Sequence, residues 1–204
     1  MLFKTHITTG MILGSAYGIG GFLLGNHNTS DCLAASGLFL LGAILPDIDS
    51  DSISLREVSS FVAAACSIFA VMFCVPYEAE PGVMLTSGMI TYLFARFVFV
   101  RFLLSYTNHR GIFHSIPMAL IFSCLPFLFS AGDVFSPSKM YLAGGIFLGF
   151  ISHLLLDELA SIDLKRRRMK KSFGSAFKFF VNNWWVNIAT VGVLVVLLTI
   201  ILTN

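Results

Sequence analysis

Charge is what this sequence has least of. Asp, Glu, Lys and Arg make up 12% of its 204 residues, where a soluble domain averages about 25%. That shortage excludes an ordinary water-soluble globule. Cysteine is scarce as well. Cys32, Cys66, Cys74 and Cys124 stand in or beside apolar runs with no CxxC pair, which argues for small buried hydrophobes over disulfides or a thiolate metal site. The weak ten-residue alternation of a transmembrane β-barrel is missing, which leaves helices as the spanning form. Internal repeats, low-complexity tracts and a soluble domain are also absent, and nothing points to a nucleic-acid partner.

Apolar length is what the sequence has in plenty. It is 56% hydrophobic with a mean hydropathy of +0.85. Seven apolar segments are legible, at about 8–25, 32–46, 59–75, 83–104, 115–131, 139–158 and 185–202, against the roughly 20 residues that cross a bilayer. The expected fold is all-α, a polytopic helical membrane protein. Segments 32–46 and 59–75 are short for full spans, which suits a tilted or re-entrant path. The N-terminal stretch, with a single lysine and no small-residue cleavage site, reads as a retained first helix. Residues 1–158 form the expected membrane-embedded core, 159–184 a basic cytoplasmic segment, and 185–204 a lipid-facing C-terminal anchor without ionisable groups.

Lys and Arg placement sets the expected orientation. The run KRRRMKK, Lys165 to Lys171, follows the sixth segment and is expected in the cytoplasm. Counting back through the segments puts Lys4, Arg56, Arg101 and Arg110 on that side, while Lys139 and PYEAEPG fall opposite. The N-terminus is then inside and the C-terminus outside.

In this topology the polar clusters fall on one membrane face. His6 precedes the first segment, Asp47, Asp49 and Asp51 follow the second, His109 and His114 follow the fourth, and His153 and Asp157 close the sixth. His153 and Asp157 are four apart and share one helix face. His109 and His114, five apart, would diverge by about 140° on an ideal helix, and Gly111 suggests a bend that reunites them. Asp47 and Asp49 alternate after Pro46. Imidazole and carboxylate are ligands for Zn²⁺, Mn²⁺ or Fe²⁺, so one ion or a bridged pair is expected, zinc or manganese first. Asp51 is equally well read as merely solvated. His27 lies on the other side and is excluded as an interfacial anchor. Arg96, inside the fourth segment, is costly in lipid and should pair with a carboxylate or face the bundle interior.

At these residues the chain resembles the YdjM-type family, described as LexA-regulated, membrane-bound metal-dependent hydrolases. The resemblance rests on the early His6, the LPDIDS stretch, an HRG-x-x-HS motif and GFISHLLLD, an ordered set across residues 6 to 157. It implies metal-dependent hydrolysis in the bacterial cytoplasmic (inner) membrane, with His6, Asp47, Asp49, His109, His114, His153 and Asp157 as the matching metal positions. Phe113 departs from the pattern, where the family commonly has threonine.

The expected function is a hydrolase acting on a membrane lipid or lipid-phosphate ester at the cytoplasmic face. The ion would polarise the ester and acidify a bound water. Arg110 could neutralise a phosphate through a bidentate contact, and Glu158 or a spare aspartate could take the proton. Ser115 is a weaker candidate nucleophile, since a hydroxyl beside a ligand more often orients it. A divalent-metal or proton-coupled transporter is the alternative, disfavoured because transporter sites usually lie near the bilayer midplane. A metal-independent lipid phosphatase, suggested by the His-x-x-x-Asp pair alone, lacks its companion motifs. Substrate, metal identity and oligomeric state are not legible in the sequence.

Overall fold

The computed structural model describes residues 3–49, 54–76, 78–99, 113–129, 136–163, 168–169, 178–181 and 183–203. The described residues are helical apart from short connections and a two-residue antiparallel ladder of β1 (Ile162–Asp163) with β2 (Arg168–Met169). Among the described residues, every expected apolar segment is helical. They are α1 (Phe3–Leu23), α2 (Thr29–Ile44), α3 (Ser54–Cys74), α4 (Pro81–Phe94), the pair α5 (Ile116–Ser123) and α6 (Leu125–Phe129), α7 (Pro137–Ala160) and α8 (Trp184–Thr203).

Local chemistry explains the boundaries. Gly25, at φ +68°, takes the left-handed conformation that commonly ends a helix, and its N–H donates to the Phe22 carbonyl at 3.0 Å, closing α1. Asn28 then caps α2, its Oδ1 accepting from the Asp31 N–H at 2.7 Å, with the Asp31 carboxylate in the first turn where the helix dipole favours it. Pro81 and Pro137 open α4 and α7 at positions where a missing N–H costs nothing. Pro126 has the opposite effect inside an apolar run, and the helix breaks at Cys124 between α5 and α6.

Two helices are longer than their apolar segments. α2 starts at Thr29 and continues as a 3-10 turn, Leu45–Asp49, so that Thr29–Asp47 is long and apolar enough to cross a membrane. α3 runs 21 residues from Ser54. Their polar first turns are helical without being hydrophobic, which is why the sequence made both look short. Pro137–Ala160 and Trp184–Thr203 also have the length and composition of spans, and Ile116–Leu128 is a shorter apolar helix.

The chain divides into two compact units, Met1–Pro46 with Gly111–Asn204, and Asp47–Arg110. In the second, α3 and α4 run antiparallel, since Ser67 Oγ donates to the Gly88 carbonyl at 2.7 Å while Arg96 bonds Ser59. The chain widens into a π-turn at Ala95–Phe99. Arg96 thus meets a buried hydroxyl on the neighbouring helix, the inward-facing one of the two expectations for it.

In the first unit α2 lies between α1 and α7, joined by glycine seams. A Cβ on Gly10 would come within 2.8 Å of Ala43 Cβ, and one on Gly14 within 2.8 Å of the Ser36 carbonyl oxygen. A Cβ on Gly149 would overlap the Phe39 carbonyl oxygen, and one on Gly42 the Ile146 carbonyl oxygen. These are backbone-to-backbone contacts of the small-residue kind that membrane helices use in place of a hydrophobic driving force. Around the seams sit Ala35, Leu38, Phe39, Ile44, Ile146, Phe150 and Leu154, all buried. The outward faces show the reverse of a soluble protein. Ile12, Ile19, Leu33, Leu148, Val195 and Leu202 are exposed, a continuous apolar exterior that water would not tolerate and lipid would.

Candidate metal centre

The helix seams deliver polar side chains to one end of the first unit. His6 lies in the first turn of α1, and Ala43 in the last turn of α2. His114 comes two residues before α5, and His153 and Asp157 lie in the last two turns of α7. Helices alternate in direction, so starts and ends of successive helices meet. His153 and Asp157 share the face their four-residue spacing dictates.

Asp157 is the hub. His6 Nε2 lies 3.2 Å from its Oδ1, His114 Nε2 3.6 Å from Oδ2 and His153 Nε2 3.7 Å from Oδ2. The His6 and His153 rings stack at 3.9 Å between centroids, 17° from parallel, and His114 meets His153 edge-on at 5.5 Å. His6 and His153 are fully buried while Asp157 is partly exposed, so the cluster is dry beneath and open above. One donor atom from each of His6, His153 and Asp157 falls within 4.8 Å of the other two.

A hydrogen bond beneath the cluster decides its chemistry. His153 Nδ1 lies 2.8 Å from the Ala43 carbonyl oxygen in a buried contact. A carbonyl can only accept, so Nδ1 carries the hydrogen, and in the neutral ring Nε2 presents a lone pair. That lone pair faces a carboxylate oxygen, an arrangement that repels unless a proton or a cation lies between them. A backbone carbonyl holding the far nitrogen of a histidine is what fixes a metal-ligating tautomer. Four ligands at about 2.0–2.1 Å in tetrahedral array stand roughly 3.3 Å apart, close to the three nitrogen–oxygen separations here. The donor set fits a divalent ion.

Asp47 and Asp49 belong to the 3-10 turn that continues α2, with Asp47 half-buried. His109, Arg110, Gly111 and Asp51 lie outside the described residues. Glu158 follows Asp157 on α7, half-buried, its main-chain carbonyl accepting from Ser161 Oγ at 2.6 Å. Ser115 is buried at the start of α5, where its backbone forms a bridge to Lys178 and the Ile116 N–H donates to the Lys178 carbonyl at 3.0 Å. Phe113, where a threonine was the family expectation, is buried and stacks on Phe122, which stacks in turn on Phe150. It anchors the approach to His114 by packing. His27 stacks on Tyr141 at the far end of α1, away from the cluster as expected.

Two contributors escaped sequence reading. The Ala43 carbonyl is backbone and has no side-chain signal. The glycine seam did have one, the spacing Gly10, Gly14, Gly18 on α1 and Gly145, Gly149 on α7, a small-xxx-small pattern typical of close helix contacts.

These features define an all-helical membrane protein with a histidine–carboxylate cluster at one end of a glycine-packed core. The chain belongs to the YdjM inner membrane protein family, whose model matches residues 1–203. No curated protein and no solved structure matches it.

Proposed function

We propose that this chain is a membrane-bound metal-dependent hydrolase that cleaves a lipid or lipid-phosphate ester at the cytoplasmic face of the inner membrane. The observation that carries the reading is the 2.8 Å contact of His153 Nδ1 with the Ala43 carbonyl oxygen, which orients the ring with Nε2 towards Asp157. His6, His114, His153 and Asp157 are the residues that would hold the ion. Once bound, a divalent ion supplies Lewis acidity to an ester or phosphoryl oxygen and lowers the pKa of a water it holds from 15.7 towards about 7.

The chain's own groups supply the rest. His153 and His6, buried and stacked, hold the deep side of the site rigid and exclude water from it. Asp157, partly exposed, faces the side from which an ester would approach. Glu158, next along α7, is the carboxylate proposed to accept the proton. Ser115, buried in the backbone bridge to Lys178, suits an orienting role better than a nucleophilic one. Arg110 keeps the role its chemistry suggests. A guanidinium is permanently cationic and cannot ligate a metal, so beside His109 it would hold an anionic substrate.

Position supports lipid as the substrate. The cluster lies at helix ends, whereas transporter sites usually lie near the bilayer midplane. The segment bonded to Ser115 and Ile116 continues into Phe179, Phe180, Trp184 and Trp185, all exposed. Aromatic side chains of that kind gather at the membrane–water interface, which would set the cluster at the depth of lipid ester and phosphate groups. The basic run Lys165–Lys171 follows α7 directly, which favours the cytoplasmic side. The test is a panel of phospholipids and lipid phosphates offered to the purified, metal-analysed protein. Hydrolysis of at least one class that disappears with Asp157→Ala is expected. Full turnover by Asp157→Ala or His153→Ala would overturn the reading.

A further inference from the structure

The stacked imidazoles are held by what lies one turn beneath them. His6 and His153 belong to different helices, yet their rings stand 3.9 Å apart. Such spacing requires the α1 and α7 backbones to converge with no bulk between. One turn along from His6 is Gly10, and one turn before His153 is Gly149. Both face the same residue of α2. A Cβ on Gly10 would lie 2.8 Å from Ala43 Cβ and 3.1 Å from Leu40 Cδ1. A Cβ on Gly149 would lie 3.1 Å from the Ala43 N and overlap the Phe39 carbonyl. Ala43 is itself buried, and its carbonyl bonds His153 Nδ1 at 2.8 Å.

We infer that Gly10 and Gly149, closing on Ala43 from opposite sides, are positioning residues that set the geometry of the His6–His153 pair. The inference rests on the metal-centre reading and names what fixes its ligand spacing. The three-residue layer does two jobs at once. It brings the rings to stacking distance, and it delivers the Ala43 carbonyl to Nδ1 so that Nε2 points to Asp157. Added bulk at either glycine must move a backbone, because the atom it meets most closely is a main-chain oxygen at Gly149 and a β-carbon with no rotamer to change at Gly10. Gly10 has the softer surroundings, a methyl and the end of a leucine, while Gly149 meets a carbonyl directly.

The sign of the effect separates this role from ordinary helix energetics. Gly→Ala inside a helix normally raises helix stability, so loss at these positions reports the clash. Gly37 on α2 has no neighbouring atom within 4 Å of a built Cβ and serves as the control. The experiment titrates Co²⁺ into purified full-length protein, reading visible absorption for coordination geometry, with helix content and melting followed alongside.

Wild type and Gly37→Ala should show the same band and affinity. Gly10→Ala should lose about tenfold in affinity and Gly149→Ala more, within the 10–100-fold range typical of disturbed ligand support. Both should alter the band while keeping helix content. The decisive variant moves the methyl across the seam. Gly10→Ala with Ala43→Gly removes the clashing atom, and affinity should return to within about threefold of wild type. A merely structural account expects this double variant to be worse, since it adds a glycine to α2. If wild type gains no Co²⁺ band, the metal reading falls and this inference falls with it. If wild type binds but both glycine variants bind equally well, or the double variant is no better than Gly10→Ala, the positioning role is overturned and the metal centre stands. Should Gly149→Ala not fold, Gly10→Ala and its swap decide the matter alone.

Discussion

The two ends of the first unit make an instructive pair. Each gathers polar groups from α1, α2 and α7, and each carries histidine in a ring stack. At the far end the hydroxyl groups find partners within the chain. Tyr17 donates its hydroxyl to the Tyr141 carbonyl at 2.9 Å, Tyr141 returns a bond to the Tyr17 carbonyl at 2.8 Å, and Ser138 donates to Asp31. His27 lies flat on Tyr141 at 3.9 Å between ring centroids, with no carboxylate brought to it among the described residues. At the near end three imidazole nitrogens crowd one carboxylate, and the far nitrogen of one of them is held by the Ala43 carbonyl. The tyrosine pair and the Ser138–Asp31 bond of the first arrangement are complete with the atoms of the chain. The second is stable only with positive charge at its centre. A histidine in a ring stack does not by itself make a site; the carboxylate brought to it does.

The largest effect that would break this comparison is ligand removal. His153→Ala and His6→Ala should each reduce divalent-metal affinity by more than the ~10–100-fold expected for second-sphere changes, measured by competition with a chromophoric chelator. An affinity unchanged from wild type would make the near end no different from the far one. Next comes the stability the ion lends. A ligand bound only by the folded state contributes about 2.7 kcal/mol at 100 times its Kd, so stripping metal should lower the melting temperature of wild type and of His27→Ala alike. His153→Ala should melt identically with and without chelator. The smallest effect belongs to the far end. Tyr141→Phe removes one hydroxyl donor from the reciprocal pair and should cost about 1 kcal/mol in thermal unfolding, with metal content untouched. Loss of metal in Tyr141→Phe would mean that the two ends are not independent.

How much of this was legible follows from which atoms carry it. Hydrophobic runs mark all seven helical segments, because apolar length is a side-chain property. They misplace the starts of α2 and α3, where Thr29, Asp31 and Ser54 are helical by capping and context rather than by hydrophobicity. The site was legible where spacing alone sufficed, as in His153 and Asp157 on one face. His6 and His114 joined them by counting which helix ends share a side, and the structure brings both to Asp157. Ala43 was not legible, because its contribution is a carbonyl that any residue possesses. Gly10 and Gly149 were visible as a pattern, but their importance depends on which atoms they face across the seam. Phe113 shows the converse. It departs from the threonine of the family pattern, and its ring fills an aromatic row with Phe122 and Phe150.

The most direct test of the central claim compares the two ends in one preparation. Wild type, Asp157→Asn and His27→Ala are purified in detergent without added metal or chelator, and bound metals are counted by elemental analysis. Asp157→Asn keeps the shape of the hub and removes its charge, while His27→Ala removes a half-buried histidine that stacks on Tyr141 at the far end. The account predicts a near-stoichiometric divalent ion in wild type and His27→Ala, and its loss from Asp157→Asn. Wild type without metal, or all three carrying the same amount, would contradict it.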